Sequence, residues 1–303
     1  MYDIVIIGAG PAGLTAAVYA RRAEKSVVIL EKGTFGGQIT FSPCVENFPG
    51  FKSLSGNELA DLMVDQALSL GAEIELYEAN GVKVNSDGTK TVTTAEGEEF
   101  TAQAVIIATG AKHRLLGVEG EKELIGHGIS FCAVCDGAFY KGKETVVVGG
   151  GNSALQEALL LSDGCKKVTL VQNLDTFTGE EKLLSALRAK DNVEFITGAR
   201  VDSFTESNGE LTGINITVKD ESETLYTDGV FIAIGLAPDN GNFKDCARLN
   251  EWGYFDTDEK CLTETPGVFV AGDCRSKAIR QITTAAADGS VSALAACNYI
   301  DRL

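Results

Sequence analysis

The sequence predicts an α/β protein built on parallel β-sheets. Strand patterns rich in Val and Ile alternate with Ala-rich helix patterns, and one strand–turn–helix–strand unit occurs twice, at residues 3–31 and 145–172. In both copies a turn of the form G-x-G-x-x-G/A joins the first strand to the helix. Three further apolar runs end in small residues, at 105–110, 230–235 and 268–273. Together these patterns predict two dinucleotide-binding (Rossmann-like) domains, the second inserted into the first.

The order of these units along the chain gives the expected domain boundaries. The second unit starts after the strand run at 105–110, and the last strand run and the helix pattern behind it resemble a return to the first domain. We therefore expect a first domain made of residues 1–113 and 244–303. Residues 114–243 are expected to form the inserted domain.

Length and composition exclude several classes of protein. The 303 residues are 44% hydrophobic and 23% charged, which is typical of a folded globular chain and not of a disordered or fibrous one. The formal net charge of −17 disfavours binding to nucleic acid or to an anionic membrane. The N-terminal stretch shows neither a signal peptide nor a membrane span. Eight cysteines, mostly scattered, do not make a secreted disulfide scaffold, so a cytoplasmic location is expected.

The first glycine turn has the features of a phosphate site. Gly8 permits the tight turn, Gly10 lets the backbone approach a pyrophosphate, and Gly13 allows close packing of the helix. The helix N-terminus favours an anion. Glu31, at the end of the second strand, would accept hydrogen bonds from ribose hydroxyls. The motif predicts a dinucleotide but does not by itself separate FAD from NAD.

A pair of closely spaced cysteines is the second chemical feature. Cys132 and Cys135 have the spacing at which two thiols can close a small disulfide ring, and the dipole of a helix start would lower a thiol pKa. Asp136 could carry the proton to or from the adjacent thiol. A structural zinc needs four ligands, and neither a second CxxC motif nor a clustered His pair is present, so no metal is expected. The pair predicts redox chemistry.

These motifs, in this order, resemble the low-molecular-weight thioredoxin reductases over nearly the whole chain. The segments that carry the resemblance are GAGPAG (8–13), GGQ (36–38), ENFPGF (46–51), ATG (108–110), CAVCDG (132–137), GGGNSA (149–154), AGD (271–273) and RQ (280–281). The resemblance implies a homodimer that binds FAD on the first domain and reduces a thioredoxin-like protein. It further implies that Cys135 is the thiol next to the flavin, that Cys132 attacks the protein disulfide, and that Asp136 is the acid/base. The FAD contacts that it implies are Gly8, Gly10, Pro11, Ala12, Gly13, Glu31, Lys32, Gly37, Gln38, Asn47, Thr109, Gly110, Gly272, Asp273, Arg280 and Gln281.

One segment departs from the NADPH-dependent members of that family. Their second unit carries an HRRxxxR run whose arginines hold the 2′-phosphate, whereas residues 172–178 here read QNLDTFT, with a neutral residue at each arginine position. Loss of charge-assisted hydrogen bonds worth about 1.5–3 kcal/mol each predicts poor NADPH binding. Gln172 stands where an NAD site usually has Asp or Glu, which weakens NADH binding without excluding it. Lys166, Lys167 and Lys182 lie nearby in sequence and could rescue a phosphate contact.

The chain therefore looks most like the ferredoxin-dependent flavin thioredoxin reductases, in which these arginines are absent. That resemblance implies that electrons enter the flavin singly from an iron–sulfur protein and leave through the disulfide. An acidic ferredoxin would need a local basic patch, for which Lys112, Arg114, Lys141 and Lys143 are candidates. Three alternatives stay open: an NADH-dependent thioredoxin reductase, a dithiol oxidase that passes electrons to oxygen, and a non-catalytic flavoprotein that senses redox state.

Overall fold

The computed structural model describes residues 1–42 and 44–303, which form two compact units. Unit 1 comprises Met1–Lys112 and Ala237–Leu303, and unit 2 comprises His113–Leu236. The predicted α/β fold with a second unit inserted into the first is confirmed. In the described part of the chain, no helix combines the length and the apolar character needed to span a membrane.

Unit 1 is built on a seven-stranded sheet. Its strands are β1 (Tyr2–Ile7), β2 (Val27–Glu31), β3 (Glu73–Leu76), β4 (Ala79–Val84), β5 (Lys90–Thr94), β6 (Glu99–Ile107) and β17 (Val268–Val270). Its helices are α1 (Pro11–Arg22), α2 (Gly56–Ser69) and α6 (Ile282–Ile300), with 3₁₀ turns at Gly37–Phe41, Gly241–Phe243 and Gly272–Cys274. The strand order is β3-β2-β1-β6-β5-β4, and β17 also pairs with β6. The strands β3, β2, β1, β6 and β17 run parallel, so their carboxyl ends share one edge.

Both faces of this sheet are buried, which explains the unbroken apolar runs in its strands. In β1, Ile4 and Ile6 pack into the cluster that includes α1 and α6, while Val5 and Ile7 pack into a second cluster on the other face. Side chains alternate across a strand, so a strand covered on both sides must be apolar throughout.

Unit 2 contains a parallel sheet and a separate antiparallel one. The parallel strands are β8 (Ile129–Ser130), β9 (Glu144–Val148), β10 (Lys167–Val171), β11 (Val193–Ile196) and β15 (Gly229–Ile232), in the order β11-β10-β9-β15-β8. The antiparallel strands are β12 (Ala199–Ser207), β13 (Glu210–Val218) and β14 (Glu221–Tyr226). The helices are α3 (Ala133–Asp136), α4 (Asn152–Ser162) and α5 (Glu181–Arg188), with a 3₁₀ turn at Gly137–Tyr140. Two short strands, β7 (Lys112–His113) and β16 (Leu236–Ala237), stand where the chain crosses between units.

Residues 237–243 belong to unit 1, although the sequence-based boundary placed them in the inserted domain. The side chain of Asn240 accepts a hydrogen bond from Thr109 Oγ1 at 2.8 Å and donates one to the carbonyl oxygen of Cys274 at 2.9 Å. Phe243 is buried in the second core cluster of unit 1. Periodicity could not locate this boundary, because it depends on side-chain contacts with distant segments.

Candidate active site

The turn between β1 and α1 leaves open space at the start of a helix. Gly8 has a φ of 107°, and a Cβ atom there would lie 2.4 Å from the carbonyl oxygen of Ala108. A Cβ atom on Gly13 would lie 1.9 Å from the carbonyl oxygen of Gly8, so both positions exclude a side chain. At Gly10, by contrast, a Cβ atom would meet nothing within 4 Å. Pro11 opens α1, and the first N–H groups of that helix favour an anion in this space.

The carboxyl end of β2 positions Glu31 beside that turn. The Glu31 carboxylate accepts hydrogen bonds from the N–H groups of Ala9 at 2.8 Å and Gly33 at 2.9 Å. Because each carboxylate oxygen can accept more than one hydrogen bond, Glu31 can still bind a ribose hydroxyl. Glu31 and Gly8 line a cleft of unit 1 together with Thr109, which follows β6.

Lys32 and Gly110 also line this cleft. The Lys32 ammonium lies 3.1 Å from the carboxylates of both Glu78 and Asp239. Its charge is therefore already balanced by two acids at the rim of the cleft. Gly110 has a φ of 69°, a backbone conformation that favours glycine.

The segment with Gly37 and Gln38 lies against the first glycine turn. The Gly36 N–H donates to the carbonyl oxygen of Ala9 at 2.8 Å, and a Cβ atom on Gly37 would lie 3.3 Å from Gly10 Cα. Gln38 is exposed. A ligand held at Gly10 would therefore also meet the backbone of Gly37.

The turn after β17 brings a buried acid to the same helix. A Cβ atom on Gly272, which has a φ of 83°, would lie 2.9 Å from Ala12 Cβ in α1. Asp273 follows, and its Oδ1 atom is buried without a hydrogen-bond partner among the described residues. Burial raises the pKa of the Asp273 carboxyl. A buried oxygen of this kind fits a ligand that supplies a hydroxyl group.

The remaining predicted contacts of unit 1 gather at the start of α6. Arg280 lies with its guanidinium carbon 4.4 Å from the centre of the Tyr254 ring, and its Nε donates to the carbonyl oxygen of Asp273 at 3.4 Å. The side chain of Asn47 donates to Gln281 Oε1 at 3.4 Å. Arg280 thus lies beside Asp273, and Asn47 lies beside Gln281, the next residue in the chain.

Unit 2 carries the cysteine pair on a short turn of helix. Cys132 and Cys135 form a disulfide, with Cα atoms 5.3 Å apart. Cys132 precedes the first residue of α3, and the N–H of Cys135 lies 3.2 Å from Cys132 Sγ. Both residues are partly exposed, so an exchange partner can reach the pair.

Asp136 is fixed directly behind the disulfide. Its Oδ2 atom accepts a 2.6 Å hydrogen bond from Ser130 Oγ, and the same Oγ accepts one from the N–H of Cys132 at 3.1 Å. Asp136 Oδ1 is buried without a partner among the described residues. Burial raises the pKa of the Asp136 carboxyl, opposed in part by the Ser130 hydrogen bond. The acid is therefore biased toward the protonated form that a proton donor needs.

The second glycine turn repeats the geometry of the first one: at Gly151, the counterpart of Gly10, a Cβ atom would meet only Thr178 Oγ1, at 3.9 Å. Gly149 has a φ of 138°, and a Cβ atom there would lie 2.5 Å from the carbonyl oxygen of Ala233. A Cβ atom on Gly150 would lie 2.2 Å from Gln172 Nε2, so the Gln172 side chain fills the space under the turn. The carbonyl oxygen of Gly150 accepts from the N–H groups of Thr178 at 2.8 Å and Gly179 at 3.0 Å.

Gln172 is 5% exposed and uses its amide within the same loop. Its Nε2 donates to the carbonyl oxygen of Thr176 at 3.4 Å, and its Oε1 accepts from the N–H of Asn173 at 3.1 Å. The amide keeps a second N–H group and a second acceptor site, so these bonds hold the side chain in the loop without using all of its hydrogen-bonding groups.

Two of the lysines considered for phosphate rescue lie at the wrong end of their strand. Lys166 and Lys167 stand at the start of β10, whereas the glycine turn lies near its carboxyl end, about 16 Å away at about 3.3 Å per residue. They also pair with Glu144 at 2.7 Å and Glu194 at 2.8 Å. The suggestion that these two lysines rescue a phosphate contact is wrong. They are close to the glycine turn in sequence, but the extended strand β10 separates them from it in space.

Comparison with known proteins identifies the family. The model for pyridine nucleotide-disulphide oxidoreductases matches residues 2–289. The chain is 44% identical to a thioredoxin reductase of Bacillus subtilis over 306 residues, which covers 100% of this chain and 96% of the relative. The chain belongs to the thioredoxin reductases. The structure of the Streptococcus pyogenes thioredoxin reductase is 38% identical, covers 100% of this chain and 99% of its own, and superposes with a TM-score of 0.94. A relative from Clostridium pasteurianum, described as a 34.2 kDa protein in a rubredoxin operon, is 44% identical over 98% of this chain and 97% of its own.

FAD is the cofactor of the thioredoxin reductases, and unit 1 fits it. The backbone opening at Gly10 suits the pyrophosphate of FAD, and the Glu31 carboxylate suits its ribose. The unpartnered Asp273 Oδ1 suits a hydroxyl group of the part of FAD that joins the pyrophosphate to the flavin ring. When bound, FAD supplies a ring that can accept electrons and pass two of them to a disulfide.

Sequence reasoning missed two buried acids. Asp288 of α6 accepts hydrogen bonds from the Gly272 N–H at 3.0 Å, from Arg275 at 2.8 Å and from Lys277 at 2.9 Å, and so holds the turn that carries Asp273. Glu157 lies on α4, with its side chain mostly buried and close enough to feel the charge of Asp136. An acid within an otherwise apolar helix face is the signal that could have revealed both.

Proposed function

We propose that this thioredoxin reductase takes electrons from a ferredoxin-type iron–sulfur protein and passes them through the Cys132–Cys135 disulfide to a thioredoxin-like protein. FAD would bind to unit 1 through the predicted contacts, and unit 2 would carry the disulfide. A homodimer, as the family resemblance implies, is part of the proposal. The observation that carries the choice of donor is the second glycine turn, where Gln172 and its neighbours use their polar groups within the chain and offer no guanidinium to a 2′-phosphate.

The chain's own residues would perform the exchange in a fixed order. After two electrons open the disulfide, Cys132 as thiolate attacks a disulfide of the protein substrate and forms a mixed disulfide. Cys135 then attacks Cys132, releases the substrate as a dithiol and restores the internal disulfide. Asp136, held by Ser130, would protonate Cys135 when the disulfide opens and accept that proton when Cys135 attacks.

The relative in the rubredoxin operon supports an electron carrier as the donor. Its description places that protein beside rubredoxin, which is an iron protein. Lys141 and Lys143 support docking of an acidic partner on unit 2, because both are exposed and neither forms an ion pair with a described residue.

An anaerobic titration tests the choice of donor. The FAD-loaded protein is mixed in turn with reduced ferredoxin, NADH and NADPH, and loss of the oxidised flavin absorption is followed. We expect rapid bleaching with ferredoxin and slow or incomplete bleaching with both nucleotides. Rapid bleaching by NADPH would overturn the donor assignment, and rapid bleaching by NADH would favour the NADH-dependent alternative. Oxygen uptake driven by a small dithiol would favour the dithiol oxidase.

A further inference from the structure

A second carboxylic acid lies behind the disulfide centre. Glu157 is on α4 with its side chain mostly buried, and its Oε2 atom finds no hydrogen-bond partner among the described residues. Asp136 Oδ1 is likewise buried and has no hydrogen-bond partner among the described residues. Buried polar oxygens are nearly always hydrogen-bonded, so two unpartnered carboxyl oxygens near one redox centre need an explanation.

The packing of α3 against α4 brings the two acids together. Ala133 of α3 is buried in one apolar cluster with Ala154 and Ala158 of α4. Glu157 stands three residues after Ala154, so it projects from the same face of α4 toward the short helix that ends in Asp136. The negative charge of Asp136 acts on the Glu157 carboxyl.

Electrostatics then place a proton on this pair at neutral pH. Burial and, second, the Asp136 charge raise the pKa of Glu157 to about 8. Burial and the neighbouring charge both disfavour a second negative charge, so Glu157 gives up its proton only in mildly alkaline solution. In chemical terms, the pair holds a spare proton next to the sulfur atoms.

The other groups around Glu157 do not balance a negative charge. Tyr140, on the 3₁₀ turn beside α4, stays neutral because burial raises its pKa to about 12, and burial also raises the pKa of the Cys165 thiol. The side chains that β9, β10 and α5 contribute to this cluster are apolar: Val147, Val168, Leu170, Leu184 and Leu187. Among the described residues no Lys or Arg pairs with either acid. Protonation is therefore the means by which Glu157 avoids a buried charge.

We propose that Glu157 is the proton reserve of the Cys132–Cys135 centre, an inference that rests on the proposed disulfide reduction. When two electrons from the reduced flavin break the S–S bond, the Glu157 proton passes to the Asp136 carboxylate and from there to the Cys135 sulfur, and Cys132 is left as the attacking thiolate. Glu157 finally recovers a proton from solvent, so the step consumes two electrons and one proton. Glu157 acts on the sulfurs only through Asp136.

Infrared titration of the FAD-loaded protein tests whether Glu157 holds this proton. We expect a protonated-carboxyl band at pH 7 that disappears in mildly alkaline solution and is absent from Glu157→Gln. Glu223→Gln, which changes an exposed glutamate of β14 in the same unit, should keep the band. Persistence of the band in Glu157→Gln, or its absence from the wild type, would overturn the proposal.

The pH profile of thiol exchange tests whether that proton is used. The rate of exchange between the reduced centre and a small aromatic disulfide should fall about tenfold at pH 7 in Glu157→Gln, lose its decline above neutral pH, and recover in part in Glu157→Asp. An unchanged profile would contradict the proposal. If Glu157→Gln does not fold, Glu157→Asp and the wild-type titration still decide the point. This assay needs neither the natural donor nor thioredoxin, so failure of the proposed function would show separately, as wild-type protein that reduces no thioredoxin with any donor.

Discussion

At the scale of single residues, Asp136 links the disulfide to the surrounding core. Ser130 holds one carboxylate oxygen and also binds the N–H of Cys132, so the acid and the attacking cysteine share one anchor. Because burial raises the Asp136 pKa, the proton persists at a pH where an exposed aspartate is ionised. The acid form is lost as pH rises through that raised value.

Replacement of this acid should slow exchange without loss of the fold. We expect Asp136→Asn to lower the rate of thioredoxin reduction by about 10²-fold to 10⁴-fold, because no group replaces its proton transfer. Stopped-flow measurement over a range of pH values checks this. Asp191→Asn, an exposed change in the same unit, should keep the wild-type rate. A wild-type rate in Asp136→Asn would remove this acid from the mechanism.

A methyl group at the first glycine turn should prevent FAD binding. In Gly8→Ala the new Cβ would lie 2.4 Å from the Ala108 carbonyl oxygen, so the turn that faces the pyrophosphate must shift. We expect flavin release, detected by ultrafiltration, to rise at least tenfold. Gly88→Ala is the matched control, because Gly88 also has a positive φ but no atom near its Cβ position. It should lose only about 1–2 kcal/mol of stability from backbone strain and should keep FAD. Equal flavin retention in both variants would contradict this role of Gly8.

At the scale of elements, a buried ion cluster ties the turn after β17 to α6. The Arg275, Lys277 and Asp288 side chains are 1%, 5% and 7% exposed. Burial acts to raise the pKa of Asp288, but Arg275 and Lys277 outweigh it and hold that pKa below its usual range. The stabilisation that follows is present at neutral pH and is lost as pH falls through the lowered value.

Removal of this carboxylate should destabilise unit 1 and loosen FAD. Asp288→Asn removes the buried acid that pairs with Lys277 and Arg275 and leaves Arg275 only the exposed Glu259, so we expect a loss of about 3–5 kcal/mol in the free energy of unfolding. Urea unfolding of the FAD-free protein at pH 7 checks this, and the difference from wild type should shrink in acid. Asp301→Asn, which removes an exposed partner of Lys25, should cost at most about 1 kcal/mol. If Asp288→Asn also lost at most about 1 kcal/mol, the cluster would not hold the turn.

The elements that a sequence pattern can predict are those set by local periodicity. The sequence identifies the glycine turns at Gly8 and Gly149, because backbone sterics allow few other residues there. It also identifies the cysteine pair, because the chemistry needs two thiols at that spacing. The partners of Asp288, the role of Gln172 under the second turn and the position of Glu157 did not follow from the sequence. Each depends on contacts between segments that lie far apart in the chain.

At the scale of the whole molecule, net charge sets a constraint on partners. A chain with a formal charge of −17 repels an acidic electron carrier at long range, so docking must depend on a local basic surface. Lys141 and Lys143 lie on unit 2, on the segment that leads into β9. Their charges are available, because neither forms an ion pair with a described residue.

Reversal of these charges should weaken the ferredoxin-driven reaction selectively. We expect Lys141→Glu with Lys143→Glu to lower the rate of flavin reduction by ferredoxin about tenfold or more at low salt, with a smaller difference at high salt. Disulfide exchange started with a small dithiol should keep its rate. Lys122→Glu, another exposed lysine of unit 2, is the control and should have little effect. If Lys122→Glu lowered the rate of flavin reduction as much as the double variant does, the docking surface would lie elsewhere.

The electron capacity of the FAD-loaded protein tests most directly the claim that flavin and disulfide form one redox system. In an anaerobic dithionite titration followed by flavin absorption and thiol counting, the wild type should take up about twice as many electrons as the variant with both Cys132→Ser and Cys135→Ser, because the disulfide is itself a two-electron couple. The added electrons should appear as thiols at positions 132 and 135. Equal uptake by the two proteins, with the wild-type disulfide still intact after the flavin is fully reduced, would contradict the account.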